Sequence, residues 1–556
     1  MSDSASAIAA PRTPPISISS TSTEVNRTGS WKYIRPVYVD GSGPCQAACP
    51  TGIDIAAYMA LLRAGRTHAA GAEILRHNPL PAITGRVCDH PCEASCNRAQ
   101  YDGAVAVHAV ERMLGDDILA QPAPAPLPVQ HEEKIAVVGS GPAGLACAYH
   151  LSKYGYRTEI FEQDELPGGM LRSGIPEYRL PRDVLDRQID WLRALGVRIH
   201  CGQRVGETVS WAELTAEFSA VFIATGAHIS RGPGFALPAT HAIWSGLYFL
   251  SQVNRGERPP VGEHVVVIGG GNTAIDCART ALRLGATATI AYRRTRAEMP
   301  ALPEEIAEAE QEGVRFLYLA SPIAVRKAGA SLFVTFEPMT LGDADASGRR
   351  QPIRDELPCF EVQCDTLITA IGEDAELGIL PAGAERAQDS WGTTEIANLF
   401  IGGDAVSTAR TVASALGAGL RAAAAIHEYL GSCRGDDVIL EDWTCPEHEP
   451  VPADSVNLNH FGRVARHRDR RSQRALPFAE TNLGLAHADA LAEAARCFEC
   501  GACNSCELCL IYCADAAIKR GSDGTRFEIM LDYCKGCGVC AAECPRGAIV
   551  MTREGL

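Results

Sequence analysis

"KIAVVGSGPAGLACAYHLSKYGYRTEIFEQ", residues 134–163, indicates how the largest part of this chain folds. It has the pattern of a β-strand, the glycine turn Gly139-x-Gly141-x-x-Gly144, a helix and a second strand that ends at Glu162. In such a unit the glycines permit a tight turn and let a pyrophosphate approach the helix N-terminus, and the acid accepts hydrogen bonds from a ribose. The stretch therefore predicts a dinucleotide-binding unit; the alternative is a glycine turn in some other α/β fold.

A second unit of the same kind follows at "VVVIGGGNTAIDCARTALRLGATATIAYRR", residues 265–294. Its turn is Gly269-x-Gly271-x-x-Ala274, and its second strand ends in Arg293 and Arg294 where an NAD site usually has an acid. Two guanidinium groups suit a 2′-phosphate, so we expect NADP(H). The alternative is NAD(H), with both arginines as surface charges.

The composition is that of a globular, acidic chain. Its 556 residues suggest about three or four domains, and the net charge of −16 argues against non-specific binding to nucleic acid or to an anionic membrane. No apolar run approaches the roughly 18 residues of a membrane span. The first residues, rich in Ser, Ala and Pro, do not form a signal peptide, so we expect a disordered leader and a cytoplasmic protein.

Fifteen of the 22 cysteines lie in the stretches 45–49, 88–96 and 497–544. In a long chain without an export signal, such groups indicate metal or redox sites. Two runs at the end of the chain have the C-x2-C-x2-C-x3-C spacing of bacterial ferredoxins, in which the fourth cysteine ligates the other cluster. They predict one [4Fe–4S] cluster on Cys503, Cys506, Cys509 and Cys544, and another on Cys534, Cys537, Cys540 and Cys513. Zinc is the alternative, but zinc spacing does not repeat in this interlocked way.

Three further segments look like the flavin-binding segments of two-dinucleotide flavoproteins: 166–181, "FIATGA" (222–227) and "FIGGDA" (400–405) with Thr411. The resemblance implies that Asp404 meets the ribityl chain and that the first unit binds FAD. The candidate cofactor-binding residues of both units are Gly139, Ser140, Gly141, Pro142, Ala143, Gly144, Glu162, Gln163, Gly169, Met170, Leu171, Arg179, Val205, Ala224, Thr225, Gly226, Gly269, Gly271, Asn272, Thr273, Ala274, Arg293, Arg294, Ala370, Ile371, Gly372, Gly403, Asp404 and Thr411.

As a set, the motifs resemble the glutamate synthase small-subunit family, which includes the N-terminal half of dihydropyrimidine dehydrogenase. The resemblance rests on "PCQAACPTGIDI" (44–55), "TGRVCDHPCEASCN" (84–97), "GIPEYRLP" (174–181), both glycine turns and "FIGGDA". The tail "FEIMLDYCKGCGVCAAECPRGAI" (527–549) separately resembles the ferredoxin-like subunit of 2-oxoacid:ferredoxin oxidoreductases.

Members of the first family carry two N-terminal [4Fe–4S] clusters. The resemblance assigns Cys49, Cys88, Cys92 and Glu111 to one of them. The other uses Cys45, Cys96 and an upstream CxxC that this chain lacks, yet "AARCFECG" (494–501) has the missing form. Our hypothesis is that Cys497 and Cys500 fold back to complete this cluster; the alternative is that the cluster is lost and these two cysteines are idle.

We therefore expect an α/β protein with two nested Rossmann-like units, an N-terminal helical iron–sulfur domain and a ferredoxin-like α+β tail. The predicted segments are a disordered leader (1–30), the helical iron–sulfur domain (31–120), a Pro-rich linker (121–130), the FAD domain (131–255 and 376–432), the NADP(H) domain (256–375), a connecting segment (433–495) and the ferredoxin domain (496–556). The basic stretch 462–475 is a solvated face or a partner-docking site.

The expected function is electron transfer by an NAD(P)H oxidoreductase. Hydride is exchanged between NADP(H) and FAD, no side-chain acid or base is required, and single electrons pass through the clusters to or from a partner. The resemblance implies a ferredoxin or a catalytic subunit such as a 2-oxoacid:ferredoxin oxidoreductase, in a hetero-oligomer. The alternatives are a glutamate synthase small subunit and, in another class, a non-catalytic iron–sulfur scaffold.

Overall fold

A computed structural model describes residues 33–39, 41–436, 449–472, 478–521 and 527–553, so the predicted leader 1–30 lies outside the described residues. The helices are α1 Pro44–Ala48, α2 Ile55–Arg63, α3 Thr67–Ile74, α4 Pro81–Val87, α5 Pro91–Ala94, α6 Val107–Ala120, α7 Pro142–Lys153, α8 Met170–Ser173, α9 Arg182–Ala194, α10 Trp211–Glu217, α11 Gly246–Asn254, α12 Asn272–Arg283, α13 Pro303–Glu312, α14 Val412–Arg434, α15 His487–Ala494, α16 Leu508–Ile511 and α17 Val539–Ala542.

The strands are β1 Ile34–Tyr38, β2 Lys134–Val138, β3 Arg157–Phe161, β4 Arg198–His200, β5 Ala220–Ile223, β6 Ile229–Ser230, β7 Ile243–Ser245, β8 His264–Ile268, β9 Thr287–Tyr292, β10 Arg315–Tyr318, β11 Ala320–Ala328, β12 Ser331–Ala344, β13 Arg350–Arg354, β14 Phe360–Cys364, β15 Thr366–Thr369, β16 Glu373–Asp374, β17 Leu399–Ile401, β18 Ile518–Arg520, β19 Phe527–Ile529 and β20 Ile549–Arg553.

The first glycine turn joins β2 to α7 in a parallel sheet with the strand order β17-β5-β2-β3-β4. Strands β2 and β5 are nearly continuous apolar runs, as is usual where helices cover both faces of a parallel sheet. Helices α7 and α14 pack against each other, and the register places Val138 beside Phe161 and Ile223. The ends of three strands therefore meet at the glycine turn.

The second glycine turn joins β8 to α12 in a parallel sheet ordered β10-β9-β8-β15-β7. The chain leaves the first unit after β5 and returns to it at β17, and β6 and β16 pair antiparallel where it crosses. Strands β11 to β14 form an antiparallel insertion after β10. The second unit is thus nested within the first, and the predicted fold class is confirmed.

Helices α1 to α6 form an N-terminal helical layer. Its core contains Tyr58, Met59 and Val110, together with Ala490 and Ala494 of α15 from the far end of the sequence. Helices α4 and α6 cross closely: a Cβ on Gly85 would lie only 2.4 Å from the backbone nitrogen of Arg112. This crossing brings the end of α4, where Cys88 lies, beside Glu111 of α6.

The C-terminal residues form a small α+β unit with β18 paired to β19 and β1 paired to β20. Strand β1 comes from the other end of the sequence and pairs antiparallel with β20, with Tyr38 opposite Ile549. Its partner strand lies in the segment that we predicted as the ferredoxin domain, so both ends of the chain build this unit. In the described part of the chain, no helix combines the length and the apolar character needed to cross a membrane.

Candidate functional site

One large cavity connects the two glycine turns. Of the predicted cofactor-binding residues, it is lined by Gly139, Ser140, Gly141, Pro142, Ala143, Glu162, Gln163, Gly169, Met170, Leu171, Arg179, Val205, Ala224, Thr225, Gly226, Asn272, Thr273, Asp404 and Thr411. The others lie outside its lining: Gly144, Gly269, Gly271, Ala274, Arg293, Arg294, Ala370, Ile371, Gly372 and Gly403. Because residues of both turns face one space, two dinucleotides bound at these turns would meet there.

The glycine turns leave room for phosphate groups. Gly139 has a φ of 105°, and a Cβ on it would lie 2.5 Å from the carbonyl oxygen of Ala224. A Cβ on Gly141 or Gly271 would meet no atom within 4 Å. These two residues precede α7 and α12, and neither helix has a side-chain cap at its N-terminus. The free N–H groups of the first helical turns can therefore bind a pyrophosphate.

We call this space the flavin cavity, after the cofactor that the sequence predicts at its first glycine turn. It contains buried polar atoms that have no partner among the described residues. The Oδ1 atom of Asp404 and the Oγ1 atom of Thr225 accept or donate no hydrogen bond within the described residues. Burial raises the pKa of Asp404 to about 6. Such orphaned groups cost free energy unless a ligand satisfies them, and the ribityl hydroxyls of FAD are suitable partners. Thr411 caps α14 by accepting a hydrogen bond from the backbone of Ser414 at 3.1 Å, so the helix begins at the cavity wall.

The Glu162 carboxylate accepts hydrogen bonds from the first glycine turn. Its Oε2 atom accepts hydrogen bonds from the backbone N–H of Ser140 at 2.9 Å and from its hydroxyl at 2.5 Å, and its Oε1 atom accepts one from Asp164 at 2.9 Å. A carboxylate has about four lone-pair sites. One remains for the predicted ribose contact, so Glu162 both orders the turn and faces the cavity.

The two arginines after β9 differ in their surroundings. Arg294 is buried, and it donates to the carboxylate of Asp345 and to the carbonyl oxygen of Arg350, both at 2.7 Å. Arg293 is exposed and has no hydrogen-bond or ion-pair partner in the described part of the chain. The insertion therefore occupies Arg294 and leaves Arg293 available for a 2′-phosphate.

Cys49, Cys88, Cys92 and Glu111 form one group in the helical layer. Burial raises the pKa of each thiol, and the charge of the nearby Glu111 raises it further. Glu111 itself is buried, which raises its pKa to about 7, and its Oε1 atom accepts hydrogen bonds from Thr84 and Asn78. These bonds leave Oε2 free as a ligand, so the donor set fits an iron–sulfur cluster.

This first cysteine group lies beside the flavin cavity. Val87 and Asp89, the two neighbours of Cys88 in the chain, are part of the cavity lining. The pattern of the sequence did not reveal this contact. It places a candidate cluster ligand directly behind the wall of the flavin site.

Cys45, Cys96, Cys497 and Cys500 form a second group. Burial raises the pKa of the Cys45 thiol, and the charges of the other three thiols raise it further. The side-chain amide of Asn97 donates to Cys500 Sγ at 3.4 Å, and a Cβ on Gly43 would lie 3.2 Å from Cys45 Sγ and 3.8 Å from the carbonyl oxygen of Cys500. The structure thus brings together the four cysteines that our hypothesis assigned to one cluster.

Two smaller cavities lie in the C-terminal unit. One is lined by Cys503, Cys506, Cys509 and Cys544, and the other by Cys513, Cys534, Cys537 and Cys540. These are the two interlocked sets that the spacing predicts, each with one cysteine from the other run. Both cavities have mostly apolar walls and backbone N–H groups near the sulfur atoms, for example Ala548 N–H at 3.3 Å from Cys544 Sγ.

Comparison with known proteins gives the family. Residues 133–419 match the pyridine nucleotide-disulphide oxidoreductase model. This chain belongs to that family. In this oxidoreductase, residues 40–122 match the 4Fe-4S model of dihydropyrimidine dehydrogenase domain II, and residues 527–550 match a 4Fe-4S binding domain. The predicted enzyme class, the flavin and pyridine-nucleotide fold and the [4Fe–4S] domains are thereby confirmed.

Three curated relatives illustrate the range of the family. The oxidoreductase is 37% identical over 508 residues to the NADPH-Fe(3+) oxidoreductase subunit beta of Geobacter sulfurreducens, covering 83% of this chain and 75% of that one. It is 36% identical over 502 residues to the NADP(+)-dependent formate dehydrogenase subunit beta of Moorella thermoacetica, covering 83% and 70%. It is 35% identical over 415 residues to the glutamate synthase [NADPH] small chain of Azospirillum brasilense, covering 69% and 86%.

In this oxidoreductase, buried charges hold α15, at the end of the connecting segment, on the helical layer. Glu493 is fully buried and accepts hydrogen bonds from Arg496 at 2.5 Å, from the backbone of Ala106 at 2.8 Å and from the backbone of His467 at 3.0 Å. Arg496 also donates to the carbonyl oxygen of Gly103 at 2.7 Å. These bonds fix α15 next to α6 and so position Cys497.

We expect Glu493→Ala to release this segment, because the substitution removes the buried carboxylate that pairs with Arg496 and leaves two backbone N–H groups without their acceptor. Removal of one partner from a buried ion pair costs about 3 kcal/mol or more. Limited proteolysis should then cut within 449–495 much faster than in the unmodified protein. Asp489→Ala, an exposed acid on the same helix, is the matched control and should leave the cleavage rate unchanged.

In the described residues of the basic stretch 462–475, arginine side chains form ion pairs and hydrogen bonds with other parts of the same chain. Arg466 pairs with Glu93 at 2.6 Å, Arg471 pairs with Glu308, and Arg470 donates to the backbone of Gly484. Residues 473–475 lie outside the described residues. Arg466 therefore holds the connecting segment on the helical layer, and Arg471 holds it on α13.

Proposed function

We propose that this oxidoreductase is the electron-transfer subunit that links NADPH to a partner protein through FAD and four [4Fe–4S] clusters. When bound, FAD would supply the chemistry that takes one hydride, with its two electrons, from NADPH and passes the electrons on singly to the clusters. The residues of the chain bind and orient these groups, and no side-chain acid or base has to act. Asp404 would hold the ribityl chain, the N-termini of α7 and α12 would hold the pyrophosphates, and Arg293 would hold the 2′-phosphate.

The observation that carries the proposal is the order of the four cysteine groups. The first group adjoins the flavin cavity through Val87 and Asp89. Each following group is joined to the one before by a short segment: Cys45 to Cys49, Cys500 to Cys503, and Cys509 to Cys513. Since an extended chain covers at most about 3.6 Å per residue, neighbouring groups lie within about 15 Å of each other. The groups thus form a continuous series from the flavin to the tail.

The partner side of this series is at the C-terminal unit. Cys503, Cys506 and Cys537 are exposed, so the last clusters would lie near the surface. A ferredoxin, or a catalytic subunit of the 2-oxoacid:ferredoxin oxidoreductase type, could dock there and exchange electrons. The relatives from Geobacter and Moorella are named as beta subunits of larger enzymes, which supports a hetero-oligomer.

A glutamate synthase small subunit is the second candidate, because a named small chain of that enzyme matches 69% of this chain. That match is shorter than the 83% covered by the Geobacter relative. The C-terminal unit with its two cluster cavities favours an acceptor that takes electrons from the tail.

Anaerobic addition of NADPH, and separately of NADH, to the purified protein tests the proposal. We expect NADPH to bleach the visible absorbance of the flavin. If neither coenzyme bleaches it in protein that contains FAD, the chain is a non-catalytic scaffold and the proposal is wrong.

We expect Arg293→Ala to reduce the preference for NADPH over NADH by about tenfold to a hundredfold, since a hydrogen bond to a charged group contributes about 1.5–3 kcal/mol. The substitution should leave the fold intact because Arg293 is exposed. The ratio of kcat/KM values for the two coenzymes measures the effect. Arg296→Ala removes a neighbouring exposed arginine and should not change that ratio.

A further inference from the structure

Strand β1 passes over both cluster cavities of the C-terminal unit. Pro36 lines the cavity of Cys513, Cys534, Cys537 and Cys540, and Tyr38 lines the cavity of Cys503, Cys506, Cys509 and Cys544. The hydroxyl oxygen of Tyr38 lies 3.2 Å from Cys509 Sγ. An N-terminal residue is therefore in hydrogen-bond contact with a candidate ligand of a C-terminal cluster.

The C-terminal unit consists of two similar halves, one for each cysteine run. The residue equivalent to Tyr38 can therefore be identified in the other half. Tyr38 of β1 pairs with Ile549, and Ile529 of β19 pairs with Ile518. Ile549 and Ile518 are each the fifth residue after the last cysteine of a run, Cys544 and Cys513. Tyr38 and Ile529 hence occupy equivalent positions, and Ile529 lines the cavity of the second cluster. One half carries a hydroxyl where the other carries only hydrocarbon.

The direction of the hydrogen bond follows from the chemistry of a cluster ligand. A coordinating cysteine is a thiolate without a proton, whereas the phenolic O–H of a tyrosine is a hydrogen-bond donor. Tyr38 can only donate and Cys509 can only accept. Hydrogen bonds to the sulfur atoms are among the factors that set the reduction potential of an iron–sulfur cluster.

We propose that Tyr38 is a positioning residue that raises the reduction potential of the cluster on Cys503, Cys506, Cys509 and Cys544 above that of its duplicate. A reduced cluster carries one more negative charge than an oxidised one, so it gains more from a donor. Electrons would then settle first on the cluster whose ligand Cys503 lies three residues after Cys500. The inference rests on the cluster assignment proposed above.

The test is an anaerobic redox titration of the full-length protein, followed by electron paramagnetic resonance of the reduced clusters. Tyr38→Phe removes only the hydroxyl. At a fixed ambient potential, we expect the ratio of reduced to oxidised cluster to fall about tenfold for one ferredoxin-type cluster, a shift of about 59 mV for a one-electron couple. Ile529→Val, at the equivalent position, is the control. It should leave the potential of the cluster beside Tyr38 unchanged.

Equal potentials in the wild type and Tyr38→Phe, at equal iron content, would overturn the inference. If Tyr38→Phe does not retain its clusters, 3-fluorotyrosine at position 38 decides instead, because it is a stronger donor of nearly the same shape. It should raise the same potential, and an unmoved potential would overturn the inference. Wild-type protein without ferredoxin-type signals would defeat the cluster assignment itself, which is a distinguishable failure.

Discussion

Substitution of both Cys497 and Cys500 by serine is expected to remove one whole [4Fe–4S] cluster, about four iron atoms per chain. The two thiols lie with Cys45 and Cys96 in one partly buried group, and half of a four-cysteine ligand set cannot hold a cluster. Iron quantitation and the flavin content of the purified variant measure the effect. Flavin content should stay the same because neither residue lines the flavin cavity.

The matched control for this variant is Cys359→Ser, which replaces an exposed cysteine far from any of the four groups in sequence. It should keep the full iron content. Unchanged iron in the double variant would mean that Cys497 and Cys500 are idle, and the return of the chain to the helical layer would then serve packing alone.

Gly271→Val is expected to slow reduction of the flavin by NADPH at least about a hundredfold without unfolding the protein. Gly271 has extended backbone angles, φ −90° and ψ 177°, that any residue adopts, and a Cβ there meets no atom within 4 Å. The added side chain would fill the space in front of the α12 N-terminus where a pyrophosphate binds. Loss of two charge-assisted hydrogen bonds costs about 3 kcal/mol or more, so the rate constant at low NADPH should fall at least about a hundredfold.

Dithionite, which needs no nucleotide site, should still reduce the flavin of the Gly271→Val protein fully. Gly232→Val is the control, since Gly232 is exposed and equally open but belongs to neither glycine turn. A Gly271→Val protein that NADPH reduces at the normal rate would place the pyridine nucleotide elsewhere.

The parts of the fold that sequence predicted are those with short-range signals. Each glycine turn and each C-x2-C run is encoded within about 30 residues, and the structure places both turns at the predicted strand–helix junctions. The return of Cys497 and Cys500 was predicted only because a family motif was missing at one end of the chain and present at the other. The local sequence around Cys497 and Cys500 does not indicate which other cysteines they join.

The features that the sequence did not predict depend on packing between distant segments. Strand β1 carries no signal that it pairs with β20, more than 500 residues later, and Tyr38 therefore had no expected role. Arg293 and Arg294 look identical in the sequence, but only the antiparallel insertion decides that Arg294 is occupied by Asp345. Contacts of this kind are set by tertiary structure and are invisible to local patterns.

We expect electrons to reach the C-terminal clusters through the group formed by Cys45, Cys96, Cys497 and Cys500. Rapid mixing of anaerobic protein with NADPH, followed by freeze-quench electron paramagnetic resonance, can follow this route in the wild type and in the Cys497→Ser/Cys500→Ser variant. We expect equally fast flavin reduction in both proteins and rapid reduction of the C-terminal clusters in the wild type alone. Equally fast reduction of those clusters in the variant would mean that their electrons bypass this group of cysteines.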